Sequence, residues 1–179
     1  MSTTATDPRL AGTYTLDPIH STAGFAVKHI VVATFRGQFG SFDATLTDGV
    51  LDGTVDVASI EVKDENLAGH LQSPDFFDSA RFPQIRFVSA PIEAAENGDV
   101  VVRGELTIKD KTHTVEARGT LAGPHVDIAN STKIGLSLET TIDRTQFGLE
   151  WNAPLPKGGF ALANDVKLTV ELELVKSEA

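Results

Sequence analysis

The chain has no cysteine, which excludes disulfides, thiolate metal sites and cysteine nucleophiles together and suits a reducing compartment. No apolar run approaches the roughly 18 residues that a membrane-spanning helix needs. The opening MSTTATDPRLAGTY has neither a basic n-region nor an apolar h-region. Together these absences predict a cytoplasmic, water-soluble protein without stable membrane insertion. Positive charge is scarce as well: 15 Lys and Arg against 25 Asp and Glu leave a formal charge of −10, which repels nucleic acid, and no basic stripe offsets it.

Catalytic signatures are also missing. The sequence contains no glycine-rich phosphate loop, no HExxH and no GxSxG elbow. His20 and Ser21 near Asp17 invite a triad reading, but neighbours on a strand face opposite ways, so the spacing reads better as a turn. His20, His29, His70, His113 and His125 are scattered without the short-range pairing of a metal site, so neither a metal nor a cofactor is expected.

What is present is period-two alternation, the mark of strands with one buried face. Val166, Leu168, Val170, Leu172 and Leu174 alternate with polar residues, as do Val100, Val102, Leu106 and Ile108, and Ile134, Leu136, Leu138 and Ile142. Turn-forming pairs at Asp48-Gly49, Asp52-Gly53, 96–99 and 109–111 separate such runs. Strands are predicted over 13–16, 19–29, 34–47, 53–62, 84–94, 99–109, 112–122, 133–143 and 162–175. The fold class is all-β: a closed antiparallel up-and-down barrel of about eight strands, which leaves no long edge to aggregate. A flexible polar tail over 1–12 precedes one barrel domain over 13–176.

Two segments break the pattern. DENLAGHLQS at 64–73 opens on acidic residues and spaces Leu67 and Leu71 by one helical turn, predicting a short helix that Pro74 ends, with a 3₁₀ turn to follow. The stretch 144–161, rich in glycine and proline, predicts a long loop. Aromatics concentrate at both, where lids and mouths of cavities form. Glycine and alanine within strands, at Gly24, Ala26, Gly37, Gly40, Gly104 and Gly119, are expected to leave space inside.

Five ordered phrases resemble one family: LDPIHSTAGFAVKH at 16–29, FRGQFGSFDATL at 35–46, HLQSPDFFDSARFPQIRFVS at 70–89, VRGELTIKDKTHTV at 102–115 and IDRTQFGLEWN at 142–152. They are similar to the YceI-like, lipocalin-like, polyisoprenoid-binding proteins from about Tyr14 to Leu174. The resemblance implies a barrel enclosing an apolar tunnel for a long-chain isoprenoid lipid, a polyprenyl pyrophosphate or an isoprenoid quinone, which it binds, carries or stores. It implies no catalytic residue and suggests a homodimer. Many relatives are periplasmic, a location that the polar start argues against here.

The tunnel lining expected from this reading is Phe25, Val27, Phe35, Phe39, Phe42, Leu71, Phe76, Phe77, Phe82, Phe87, Phe147 and Trp151. Head-group contacts are expected from Lys28, His29, Arg36, Arg81, Arg86 and Arg144, whose cationic or donor groups suit a phosphate. Two alternatives stand beside it: a stress-related interaction protein with a filled barrel, and an enzyme acting on an apolar substrate through His20 or His29.

Overall fold

The computed structural model describes residues 6–177. Twelve strands form one sheet: β1 (Thr13–Leu16), β2 (Thr22–His29), β3 (Ala33–Phe39), β4 (Phe42–Thr47), β5 (Val50–Asp56), β6 (Ile60–Glu61), β7 (Gln84–Ser89), β8 (Glu93–Ala94), β9 (Asp99–Ile108), β10 (Lys111–Val126), β11 (Thr132–Asp143) and β12 (Leu162–Lys176). The helix α1 (Glu65–Gln72) lies between β6 and β7.

Pairing runs β1, β4, β5, β7, β9, β10, β11, β12 and returns to β1, so eight antiparallel strands close the expected up-and-down barrel. Closure is made by Leu16, Thr15 and Tyr14 against Leu174, Val175 and Lys176. It removes the row of unpaired backbone groups that an open edge would present.

Two strands expected to be continuous, over 34–47 and 53–62, are interrupted, the strand expected over 19–29 begins only at Thr22, and these breaks lie side by side. Between β1 and β2 a 3₁₀ turn, Pro18–His20, is capped by Asp17; between β3 and β4 stand Gly40 and Ser41; between β5 and β6 lies a second 3₁₀ turn, Val57–Ser59. The backbone groups released there find partners. Ser21 Oγ donates to the Asp17 carbonyl and accepts from the Glu173 N–H, while Gly40 N–H donates to the Ser59 carbonyl. Ser21 is thus occupied in holding a turn against β12, as the turn reading of Asp17, His20 and Ser21 expects.

Other local differences have equally plain causes. Asp52-Gly53 is no turn but mid-strand in β5, paired with Thr45 and Ala44, while Asp48-Gly49 makes the hairpin with both residues at positive φ. The strand expected over 84–94 ends at Ser89 and resumes as β8, because Pro91 has no N–H to give the ladder. In the tail expected over 1–12, residues 1–5 lie outside the described residues, and the rest is docked. Arg9 donates to the carbonyls of Ala94 and Ala95, and Leu10 is wholly buried in the core.

The helix forms where its leucine spacing places it. Asp64 accepts from the Leu67 N–H at its start, and Ser73 Oγ bonds the His70 carbonyl at its end, before Pro74. The 3₁₀-type contacts expected next occur as isolated turns, with Phe76 N–H on the Ser73 carbonyl and Arg81 N–H on the Asp78 carbonyl. Among the described residues no helix is long and apolar enough to cross a membrane.

Two clusters share the interior. One fills the end where the barrel closes, around Leu10, Tyr14, Leu46, Val102, Ile134 and Leu174. The other, including Phe39, Ile60, Leu71, Phe76, Ile142 and Phe147, forms the opposite end beneath α1.

Outside the barrel, ligand atoms of Asp17, His20 and Glu173 lie within 4.8 Å of one another, a grouping that sequence spacing missed because β12 supplies Glu173. Lys133 Nζ sits 3.8 Å from Asp17 and 3.7 Å from Glu173, so a side-chain cation already faces these carboxylates. The hydrogen bond with His20 holds the Asp17 carboxyl down at about 2, and the same bond raises the His20 imidazole. The signs follow from linkage. Asp17 contributes fully above its ordinary 3.8 and loses that contribution as pH falls toward about 2. His20 contributes fully below its ordinary 6.5 and loses that contribution as pH rises through its raised value. Thermal unfolding followed by circular dichroism is therefore expected to show a lower Tm at alkaline pH than at mildly acidic pH. In His20→Asn that difference should shrink; an unchanged difference would show that other groups carry it.

Candidate functional site

The barrel is hollow at the α1 end. A cavity of about 720 Å³ lies there, within the roughly 300–1,000 Å³ typical of ligand pockets, and its wall is almost wholly apolar. Its floor is the upper layer of the closed core, including Ala44, Leu51, Ala117, Leu138 and Leu172. α1 and the following turn contribute Leu67, His70, Leu71, Phe76 and Phe77 to the wall. The loop after β11 contributes Leu149 and Trp151.

Period two explains which strand residues face inward. Phe25, Val27 and His29 take one face of β2 and reach the cavity; Lys28 takes the other. Phe35 and Phe39 on β3, Phe42 on β4 and Phe87 on β7 also line it, as do Leu71, Phe76, Phe77 and Trp151. Two residues of the expected lining do not. Phe82 is half-buried at the surface, with the Arg81 guanidinium 5.0 Å from its ring centre. Phe147 is 1% exposed and packs edge-on against His113, behind the wall rather than in it.

Strand glycines create less of the space than expected. Of the six small residues, Gly24 lines the cavity, whereas Gly37 and Gly104 make room for rings. A Cβ at Gly37 would lie 2.4 Å from Phe25 Cζ, and one at Gly104 2.6 Å from Phe87 Cζ. Both phenylalanines fold across the backbone of their neighbours and so coat the barrel wall. Gly40 sits at a strand break, and Gly119 lets β10 and β11 approach closely.

Four of the six expected head-group residues stay outside the cavity. Lys28 and Arg36 are exposed on the outward faces of β2 and β3, Arg86 pairs with Asp52 at 3.0 Å, and Arg81 stands 3.5 Å from Asp78. His29 and Arg144 remain. His29 is exposed, with Ala33 and Thr34, where the cavity reaches the surface between the β2–β3 hairpin and the loop carrying Trp151.

Arg144 opens the 3₁₀ turn Arg144–Phe147 and is 4% exposed. Its Nε donates to the Ala163 carbonyl at 2.9 Å, and Nη1 donates to the carbonyls of Leu149 at 2.6 Å and Trp151 at 2.9 Å. Burial lowers its pKa, opposed by the Asp143 charge, and a guanidinium keeps its proton in such settings. Of the two histidines considered for catalysis, His20 belongs to the outer ion-pair group and does not line the cavity.

Sequence reading found the aromatic wall and missed most of its aliphatic part. Leu106 and Ile108 on β9, and Val166, Leu168, Val170 and Leu172 on β12, also line the cavity. Their alternation marked them as inward; the hollow level of the barrel was not written in any one strand.

The fold is shared with solved structures. Burkholderia cenocepacia BcnA aligns with a TM-score of 0.71 at 23% identity, covering 88% of this chain and 98% of that one. A polyisoprenoid binding domain from Saccharophagus degradans aligns with a TM-score of 0.70 at 13% identity, covering 92% of this chain and 98% of that one. In sequence, a UPF0312 protein of Staphylococcus aureus strain USA300 is 32% identical over 176 residues, covering 92% of this chain and 98% of the relative. The model of the YceI-like domain matches residues 14–174, and the chain therefore belongs to the YceI-like family.

Proposed function

We propose that this protein binds a long-chain isoprenoid lipid, with the tail inside the barrel, and acts as its carrier or store. The observation that supports the reading most directly is the apolar cavity of about 720 Å³ beneath α1. The likeness in fold to a polyisoprenoid binding domain agrees with it. A filled-barrel interaction protein would not need such a space.

The energetics suit a tail. At about 0.8 kcal/mol per buried CH₂, each five-carbon unit gains roughly 4 kcal/mol in gross transfer free energy. Association and tail ordering offset about 4–15 kcal/mol or more of the total. Selection then rests on shape and length. A pyrophosphate head would call for several cations, whereas only His29 and Arg144 among the six candidates reach the wall, which favours a quinone.

Trp151, the single tryptophan, lines the cavity and serves as the reporter. Titration with isoprenoid quinones of increasing tail length is expected to quench its fluorescence saturably, with a Kd below about 1 μM, near −8 kcal/mol, for long tails. A tailless quinone head should bind far more weakly. Equal responses to both, or no saturable response, would overturn the reading.

A further inference from the structure

The cavity opens between two protruding tips, and both present apolar side chains to water. On the β2–β3 hairpin Ile30, Val31 and Val32 are consecutive and 40%, 83% and 85% exposed; on the neighbouring loop Phe160 is 60% exposed. The tips touch, since the Ile30 N–H donates to the Ala161 carbonyl at 2.7 Å. The cavity wall runs onto both, with His29, Ala33 and Thr34 from the hairpin and Trp151 and Ala161 from the loop.

The hairpin tip is strained as well as exposed. Ile30 and Val31 have φ of 50° and 64°, a region that β-branched residues avoid and where glycine or asparagine is the usual choice. Folding alone gains nothing from placing such residues there in water.

Charge distinguishes these tips from the rest of the chain. Of its 25 Asp and Glu, none falls between Asp17 and Asp43, a stretch that holds β2 and β3, or between Glu150 and Asp165, which holds the loop. Lys28, Arg36 and Lys157 stand in these two segments, exposed and, among the described residues, in no ion pair. The other strongly exposed isoleucines, Ile19 and Ile128, stand beside Asp17 and Asp127 instead.

We propose that the β2–β3 tip and the adjoining loop dock this protein on an anionic lipid bilayer, with the cavity mouth facing the membrane. Protruding apolar side chains flanked by cations suit such a surface, where the chains enter the interface and the cations meet head-group phosphates. A protein partner is disfavoured, because a stable interface engages about 20–30 residues a side and the tips offer four large apolar ones. A tail could then pass between bilayer and barrel without crossing water; that consequence rests on the lipid-binding reading, whereas docking does not.

The test is flotation of the full chain with ligand-free vesicles, either phosphatidylcholine alone or equal parts phosphatidylcholine and phosphatidylglycerol. The wild type is expected to partition onto the anionic vesicles at least about tenfold more strongly than onto the neutral ones, with the difference shrinking as salt rises. Val31→Asn with Val32→Ser removes apolar surface without adding charge, and asparagine tolerates the positive φ at 31. That variant should bind anionic vesicles at least about tenfold more weakly while its Tm holds or rises. Lys28→Gln with Arg36→Gln should bring the anionic-to-neutral ratio to within about threefold of unity. Both variants should keep the wild-type quinone Kd in vesicle-free buffer, because none of the four residues lines the cavity. The two readings fail separately, since flotation is read without ligand and the titration without vesicles. Failure of the wild type to float with anionic vesicles, or equal binding to neutral ones, overturns the inference whatever the variants do. So does undiminished flotation of the valine variant; if that variant also loses self-association, the tip belongs to a second copy of the chain.

Discussion

Gly53→Leu combined with Ala117→Phe is expected to weaken binding of a long-tailed isoprenoid quinone at least about 100-fold, or about 2.7 kcal/mol, without destabilising the fold. Both residues line the cavity, Gly53 on β5 and Ala117 on β10, at the level of its floor. A Cβ at Gly53 meets only the Asp43 carbonyl at 3.5 Å, an ordinary contact, so a leucine there extends into open space.

In a packed core such enlargement costs about 1–3 kcal/mol, but here the added atoms occupy a void. Removing a strand glycine also contributes about 0.5–1 kcal/mol. The Tm is therefore expected to hold or rise by about 2–4 °C, the shift that 1 kcal/mol produces in a chain of this size. Fluorescence titration and thermal melting on the same samples separate the two effects. Retained affinity would mean that the ligand lies elsewhere. A Tm loss beyond about 5 °C would mean that the space is not available.

Phe147→Ala is expected to lose about 3–5 kcal/mol of stability, lowering the Tm by roughly 6–20 °C. Phe147 is wholly buried against His113, in a cluster with Ile108, Ile142 and Leu149, and its removal leaves a closed hole. Phe77→Ala provides the contrast. That ring is half-buried and faces the cavity, so the space it vacates joins one already open, and the stability loss should stay under about 2 kcal/mol. Its effect should instead appear in quinone affinity. Denaturant melts of both variants check the ordering, and equal losses would place Phe147 and Phe77 in the same environment.

These two phenylalanines show how far the sequence could be read. Both were expected in the lining because aromatics gather around 71–82 and 147–160. Phe77 does line the cavity, held by a turn whose N–H bonds the Leu71 carbonyl. Phe147 instead follows the 3₁₀ turn of Arg144 into the wall's rear layer, a direction that no period of the sequence encodes. For the cations the sequence held more than was taken from it: Lys28, Arg36 and Arg86 each alternate with inward phenylalanines, and that parity alone sends them outward.

The sequence by itself determined the strands, the helix at 64–73 and the hairpin turns at Asp48-Gly49 and 109–111. Each rests on neighbours within a few residues: alternation, a capping aspartate, a proline without an N–H. It also carried the family phrases across 14–174. Only the tertiary structure decided that β12 closes on β1, that the barrel is filled at one end and hollow at the other, and that Arg144, the one buried arginine or lysine among the described residues, lies in the cavity wall. The physical reason is that period two fixes which way a side chain points but not what it meets. Whether a level of the barrel fills depends on the summed volumes of inward residues from eight strands, from Gly53 and Ala44 to Ala117 and Leu172, which become neighbours only when the ring is closed.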